Sequence, residues 1–328
     1  TIDSWLIWNL TNNHYTDVTN ASRTQLYNIH ELCWDQELLN IYGVPEEILP
    51  KVKESSDDFG YWNYNGNNIP INGVAGDQQA ALFGQQCFQK GMAKNTYGTG
   101  CFMLMNTGEN PIQSKNGLLT TIAWSVNGKV NYALEGSVFI AGAAIQWLRD
   151  ALKIINNAEE TEKLAKESNQ EELVFVPAFS GLGAPYWNMK VKGGIFGITR
   201  DTGINDLCKA TLQSLALQTR DVLLAMEKDA KIKMKKLTVD GGACRNNYLM
   251  QFQAEVLESI VERPKNIEST ALGAALLAGI QSGFYNLEDS IEINNTEHAF
   301  YPNSNTDLIK KIIANWEKAI ESLIYHFH

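Results

Sequence analysis

The sequence predicts an α/β layered protein built as two units. Three observations lead there: a length of 328 residues, apolar runs of strand and helix character that alternate through the larger part of the chain, and glycine-rich turns where those runs meet. At roughly 100 to 200 residues per domain, a chain of this length holds two. Hydrophobic residues make up 44% of it and charged residues 20%, a composition that fills a buried core and sets the chain apart from disordered or fibrous proteins.

Residues 1–84 read as the first unit. Trp5, Leu6, Ile7 and Trp8 form a run that reads as a buried strand, met so early that the chain is expected to enter this unit partway through, as the C-terminal part of a longer protein. A Thr/Asn/Asp-rich stretch follows from Thr11 to Asn20, then helical spacing around Arg23 to Ile41 and a turn-rich segment from Ser55 to Asn68. Ile69 to Val74 reads as a short strand that leads through a turn at Gly76 and Asp77 into a helix.

Residues 85–328 read as the second unit. Strands are expected at Lys94 to Tyr97, Cys101 to Met105, Leu118 to Trp124 and Val130 to Leu134, with a long helix beginning near Phe139. Cys208, Leu212, Leu215, Val222 and Met226 keep helical spacing behind Asp206, with Thr219 filling the one gap. Then come a strand at Leu237 to Val239, a turn over Asp240 to Gly242, a helix at Tyr248 to Leu257, a strand at Ile260 and Val261 and a helix at Ala271 to Ile280. Leu308, Ile312, Trp316, Ala319 and Leu323 share one face of a closing helix.

Composition also excludes function classes. A formal charge of -10 opposes nucleic-acid binding, because phosphate backbones are held by Lys and Arg. Cys33, Cys87, Cys101, Cys208 and Cys244 are odd in number and never in C-x-x-C spacing, so neither a disulfide framework nor a zinc site is indicated and a reducing, cytoplasmic compartment is expected. No apolar run reaches the ~18 residues of a membrane span. His14, His30, His298, His326 and His328 are scattered, with no metal-like pairing apart from the C-terminal two, so none is assigned a catalytic role and no residue is assigned as a metal ligand.

Four segments are candidates for chemistry. In Gly73 to Ala81, Asp77 stands where a strand ends and a helix begins. It reads either as a general base for a substrate hydroxyl, with Gln78 orienting that hydroxyl, or as an ordinary helix cap. The run Asn95 to Cys101 holds Gly98, Thr99 and Gly100, either a phosphate-cradling turn with Thr99 as hydroxyl donor or a plain hairpin turn. A second turn, Asp240-Gly241-Gly242-Ala243, either holds a nucleotide at a helix N-terminus, with Asn246 as a base or ribose contact, or serves close packing alone. Gly142 lies in an apolar helical pattern, where glycine costs about 1 kcal/mol relative to alanine, so a neighbouring helix or a flat ring beside Gln146 is expected to approach it.

Together these segments resemble the FGGY carbohydrate kinases, the sugar and polyol kinases, almost end to end. The resemblance is carried by TIDSWLIWNL at Thr1 to Leu10, DVTNASRT at Asp17 to Thr24, GVAGDQQAALFG at Gly73 to Gly84 and MAKNTYGTGCFMLMNTG at Met92 to Gly108. It continues in PAFSGLGAPYW at Pro177 to Trp187, GGIFGITRDTGINDLCKATLQ at Gly193 to Gln213 and VDGGACRNN at Val239 to Asn247.

The resemblance implies an actin/Hsp70-like, ribonuclease H-like ATPase fold, represented here by the end of the first kinase domain and the whole of the second. It implies ATP and Mg2+ as cofactors, glycerol as acceptor, ADP as product and a homo-oligomeric assembly. Carried over residue by residue, Asp77 resembles the catalytic base, and Asp77, Gln78 and Phe102 the substrate contacts. Thr99, Gly100, Gly142, Gln146, Gly241, Gly242 and Asn246 resemble the nucleotide contacts. A kinase of a pentulose or a sugar acid, and an actin-like ATP-binding protein without an acceptor, are the alternatives. The family's upstream phosphate hairpin, with its magnesium-binding Asp, has no counterpart in this sequence, so the chain alone is expected to bind nucleotide weakly and to lack useful kinase activity.

Overall fold

The computed structural model describes residues 1–284, 286–287, 295–303 and 306–328. The chain begins with α1 (Ile2–Thr11), β1 (Tyr15–Asp17), α2 (Val18–Ala21), β2 (Tyr27–Asn28), β3 (Cys33–Trp34), α3 (Gln36–Tyr42), β4 (Lys51–Lys53), β5 (Tyr61–Tyr64), β6 (Asn67–Pro70) and α4 (Asp77–Gly84). The chain then enters β7 (Met92–Tyr97), β8 (Cys101–Gly108), β9 (Leu119–Val126) and β10 (Lys129–Val138). It continues through α5 (Gly142–Asp150), α6 (Glu160–Glu167), β11 (Val174–Val176), β12 (Gly194–Phe196) and the long α7 (Ile204–Ala230). It closes with β13 (Lys236–Asp240), α8 (Asn247–Leu257), β14 (Val261–Pro264), α9 (Ser269–Gln281), β15 (Thr296–Phe300) and α10 (Thr306–His326).

Among the described residues, seven strands form one mixed sheet in the order β15-β14-β13-β7-β8-β10-β9. β13 runs parallel to both β7 and β14, while β7, β8, β10 and β9 are joined antiparallel. Because side chains alternate across a strand, each strand serves two faces. Ala93, Tyr97, Met103, Met105, Leu134, Leu237 and Val239 join the main core with α7 residues such as Leu215 and Val222. Leu104, Ala123 and Ala133 point the other way and pack with Leu82 and Phe83 of α4 and Leu276 and Leu277 of α9. On that second face α4 and α9 meet backbone to backbone: a Cβ on Gly273 would lie 1.8 Å from the Ala80 carbonyl oxygen, and one on Gly84 2.0 Å from that of Ser269. This crossing fixes the axis of α4, and so the place of its first residue, Asp77.

Several expectations need correction. The Trp5 to Trp8 run is helical, within α1, and only Ile7 of the four is buried. A four-residue apolar run fits a helix as well as a strand, and here Asn12, in the left-handed conformation, closes a full helix around it. The helical spacing over Arg23 to Ile41 covers the β2–β3 pair before α3 starts, where Asp35 accepts from the backbone amides of Glu37 and Leu38. The helix expected near Phe139 begins at Gly142 and is nine residues long. The turn-rich segment ending at Asn68 holds the β5–β6 hairpin.

Candidate functional site

The β7–β8 connection is a tight turn in which the Gly98 amide donates to the Gly100 carbonyl at 2.9 Å, so the hairpin reading of this segment holds as geometry. The turn also docks on the start of α5: the amides of Ala141 and Ala143 donate to the Thr99 carbonyl at 2.9 and 3.1 Å, and that of Gly142 to the Gly98 carbonyl at 3.0 Å. The close approach at Gly142 is made by the Gly98 carbonyl, 2.5 Å from where a Cβ would stand, in place of the neighbouring helix expected there. Gly241 has φ +82, and a Cβ there would lie 2.4 Å from the Tyr97 carbonyl oxygen. The two glycine bends thus pack directly against each other, which only residues without a Cβ permit.

In front of these bends lies a cavity of about 440 Å³. Tyr97, Gly98 and Thr99 form one wall, Gly142, Ile145, Gln146 and Arg149 of α5 a second, Ala158, Glu159 and Glu162 at the start of α6 a third, and Gly242, Ala243, Arg245 and Asn246 a fourth. Of the residues singled out as nucleotide contacts, Thr99, Gly142, Gln146, Gly242 and Asn246 line it. Gly100 and Gly241 do not; they sit behind the wall and set its shape. Asn246 also caps α8, its Oδ1 accepting from the Leu249 amide at 2.9 Å, while its Nδ2 donates to Thr161 Oγ1 at 3.2 Å. Glu162 accepts from the Asn247 amide at 3.0 Å, so the Asn247 and Leu249 amides at the start of α8 both find partners within the protein. Ile145, Ala158 and Ala243 give flat apolar surface, and arginines and glutamates stand among the other lining residues, a combination suited to a planar ring carrying polar substituents.

Asp77 opens α4 one residue after Gly76, whose own amide donates to Thr19 Oγ1 at 2.8 Å. Thr19 is in turn held by the buried carboxylate of Asp17, which also accepts from the amides of Thr19 and Asn20 and from Ser55 Oγ. Burial drives the Asp17 carboxyl above the usual carboxylate range, and these four donors act against that. The result is a braced turn beneath an exposed Asp77. Asp77 Oδ1 accepts from the Gln78 amide at 2.8 Å and its Oδ2 from Gln78 Nε2 at 3.2 Å, so it does satisfy a helix amide, as the capping reading expects, although the N-cap position belongs to Gly76.

Asp77 lies outside the cavity lining and connects to it along β7. Lys94 Nζ donates to Gln78 Oε1 and, at 2.9 Å, to Thr96 Oγ1, and Thr96 stands three residues before Thr99, a span of about 10 Å in an extended strand. The register puts Thr96 between Asp240 and Phe102, whose ring is 39% exposed on the same face. Asp77, Gln78, Lys94 and Thr96 thus form one hydrogen-bonded group with Phe102 beside Thr96 in the register, and the five lining residues named above form a second, joined to it by β7. Lys94 was not among the candidates. Its only sequence signal is a charged residue inside a strand, three residues ahead of Tyr97, the aromatic that enters the glycine turn.

Electrostatically this face is unusual. Lys94 is fully buried, which lowers its ammonium below the ordinary lysine value, and the carboxylates of Asp240, Glu135 and Asp77 act against that shift. Glu135 is itself held by both terminal nitrogens of Arg23 at 2.8 and 3.0 Å. Asp240 is buried at the end of β13, and its Oδ1 has no hydrogen-bond partner. Among the described residues no group of three or more His, Cys, Asp or Glu is placed to hold a metal ion, and no helix is long and apolar enough to cross a membrane.

Comparison with known proteins places this arrangement. Residues 1–84 match the N-terminal domain, and residues 93–282 the C-terminal domain, of the FGGY family of carbohydrate kinases. Over 98% of its length the chain is 55% identical to a glycerol kinase of Natranaerobius thermophilus and 58% identical to one of Caldanaerobacter subterraneus. It spans 66% of the length of each of these relatives. The crystal structure of Plasmodium falciparum glycerol kinase with ADP superposes with a TM-score of 0.93 at 37% identity, covering 98% of this chain and 66% of that one. A ligand-bound xylulose kinase from Lactobacillus acidophilus superposes at 0.89 with 20% identity, over 99% of this chain and 68% of that one, a likeness of fold alone.

Proposed function

Because the chain belongs to the FGGY family of carbohydrate kinases, we propose that it forms the greater part of an ATP-dependent kinase that phosphorylates glycerol to sn-glycerol 3-phosphate. The observation that carries the reading is the 55% and 58% identity to glycerol kinases across 98% of the chain, with Asp77 and Gln78 standing at the start of α4 and tied to the strand that feeds the cavity. In this reading residues 1–84 close the first kinase domain and residues 85–328 form the second.

Phosphoryl transfer asks a protein for alignment and for charge stabilisation more than for covalent chemistry. The cavity between α5 and the Gly241-Gly242 bend takes the base and ribose, with Gln146 and Asn246 as polar contacts. Thr99 and its turn face the phosphates. At the other end of β7, Asp77 accepts the proton of the substrate hydroxyl as its oxygen attacks phosphorus. Gln78 orients that hydroxyl, and the exposed ring of Phe102 covers the substrate carbons. Magnesium, when bound, neutralises charge on the phosphates. Asp77 and Asp240, whose Oδ1 has no hydrogen-bond partner, are the carboxylates that would help hold such an ion.

The test is ADP release by the full-length protein with ATP and a panel of acceptors: glycerol, a pentulose and a sugar acid. The proposal expects kcat/KM for glycerol to exceed the others by about 100-fold or more, the scale of selectivity that hydrogen bonding to substrate hydroxyls reaches. A preference for the pentulose or the acid reassigns the substrate, and ADP release that no acceptor stimulates makes this an ATP-binding protein without kinase function.

A further inference from the structure

We propose that Lys94 is a positioning residue for Asp77, acting through the side-chain amide of Gln78; the inference rests on the kinase reading above. A lysine inside a β-strand is ordinarily a solvated residue or one half of an ion pair. Lys94 is neither: its side chain is fully buried, and none of the ion pairs among the described residues includes it. Its two partners are neutral acceptors, Gln78 Oε1 and Thr96 Oγ1. Taking an ammonium out of water without a contacting carboxylate costs several kcal/mol, so an apolar residue serves packing better at this position.

What the ammonium does that an apolar residue does not is fix a direction. It carries three donors and no acceptor, so it faces only the oxygen of the Gln78 amide. The amide nitrogen is thereby turned to the opposite side, where it donates to Asp77 Oδ2 at 3.2 Å. With the Gln78 backbone amide on Oδ1 at 2.8 Å, both carboxylate oxygens are held while Asp77 stays exposed to an incoming hydroxyl. Without Lys94 the amide is free to turn over and present its oxygen to the carboxylate, which repels it. The second bond of Lys94, to Thr96, ties this orientation to the strand that becomes the Gly98-Thr99-Gly100 turn, so one side chain sets the base relative to the phosphate-facing loop.

The experiment is a double-mutant cycle with Lys94→Met and Gln78→Ala in the full-length protein, read as kcat with glycerol, nucleotide affinity and thermal unfolding. Lys94→Met is expected to lower kcat by about 10- to 100-fold, the scale of a misplaced reacting group, with nucleotide affinity unchanged within about threefold. In the Gln78→Ala background the same change is expected to slow the enzyme by no more than about twofold, since its route of action is already gone. Lys94→Gln, which keeps a donor for the Gln78 oxygen, is expected to recover part of the loss, and it serves as the test if the methionine variant does not fold. Wild-type turnover in Lys94→Met, or a full multiplicative loss in the double variant, overturns the proposal. A crystal structure of the variant reads the claim independently of activity: a Gln78 amide turned away from Asp77 supports it, and one that keeps its bond to Oδ2 contradicts it. The kinase reading fails separately, in the wild-type acceptor assay.

Discussion

The two faces of the seven-stranded sheet are made by alternate residues of the same strands, yet they are built for different ends. On the α7 face β7 contributes Ala93 and Tyr97, β8 Met103 and Met105, and β10 Leu134, all in the main core. On the other face the same three strands contribute Lys94 and Thr96, Phe102, and Glu135, and β13 adds Asp240. One face is dominated by apolar packing against α7. The other buries an ammonium without a contacting carboxylate and a carboxylate oxygen without a donor, the kind of local cost that folds keep where ligands are handled. The lesson is that a strand of this protein cannot be scored as structural or functional as a whole; the division runs between odd and even residues.

That division is open to attack from the packed side first. Leu215, fully buried on α7, is expected to lose about 2–5 kcal/mol of stability when changed to alanine, by the lost burial and the cavity left behind. Urea unfolding measures this, and turnover per folded molecule is expected to stay near wild type. A fall in turnover matching the fall in stability would show that the faces are not independent.

A smaller effect sharpens the contrast between two buried carboxylates. Asp221 on α7 accepts at one oxygen from Tyr186 OH at 2.9 Å and from Trp316 Nε1 at 2.8 Å, so its burial serves to pin α10, whereas Asp240 keeps an oxygen unpartnered. Burial pushes the Asp221 carboxyl up to about 6 from 3.8. Between those values the folded protein holds a proton that the unfolded chain has released, so this group's contribution is fully present below about pH 4 and is lost as pH rises through about 6. A shift of about two units corresponds to about 3 kcal/mol at most. Asp221→Asn keeps an acceptor for both donors, so unfolding free energy between pH 4 and 7 is expected to become flatter and the variant to be the more stable protein at pH 8. An unchanged pH profile would remove Asp221 from this role.

The packed face was the legible one. The helical spacing of Cys208 to Met226 reports a single buried surface, and such periodicity survives in sequence. The glycine bends and Asp77 were visible as turn chemistry, and the family resemblance gave them roles. What sequence could not show is set by tertiary approach. Gly142 answers to a carbonyl from the β7–β8 turn, and Ala158 to Glu162 reach the cavity from a helix that carries no motif. Lys94 looks like any solvated lysine until α4 is laid over it, and Trp5 to Trp8 read as a strand because four apolar residues are too few to separate a period of 2 from one of 3.6.

The account turns on Asp77 as the group that takes the proton from the acceptor hydroxyl, and replacing it by asparagine tests that most directly because shape and most hydrogen bonds persist. Measured as glycerol-dependent ADP release alongside nucleotide affinity, Asp77→Asn is predicted to lower turnover by about 10³-fold or more while affinity stays within about threefold, the signature of a lost general base. Turnover within a few-fold of wild type would contradict the assignment and the mechanism built on it.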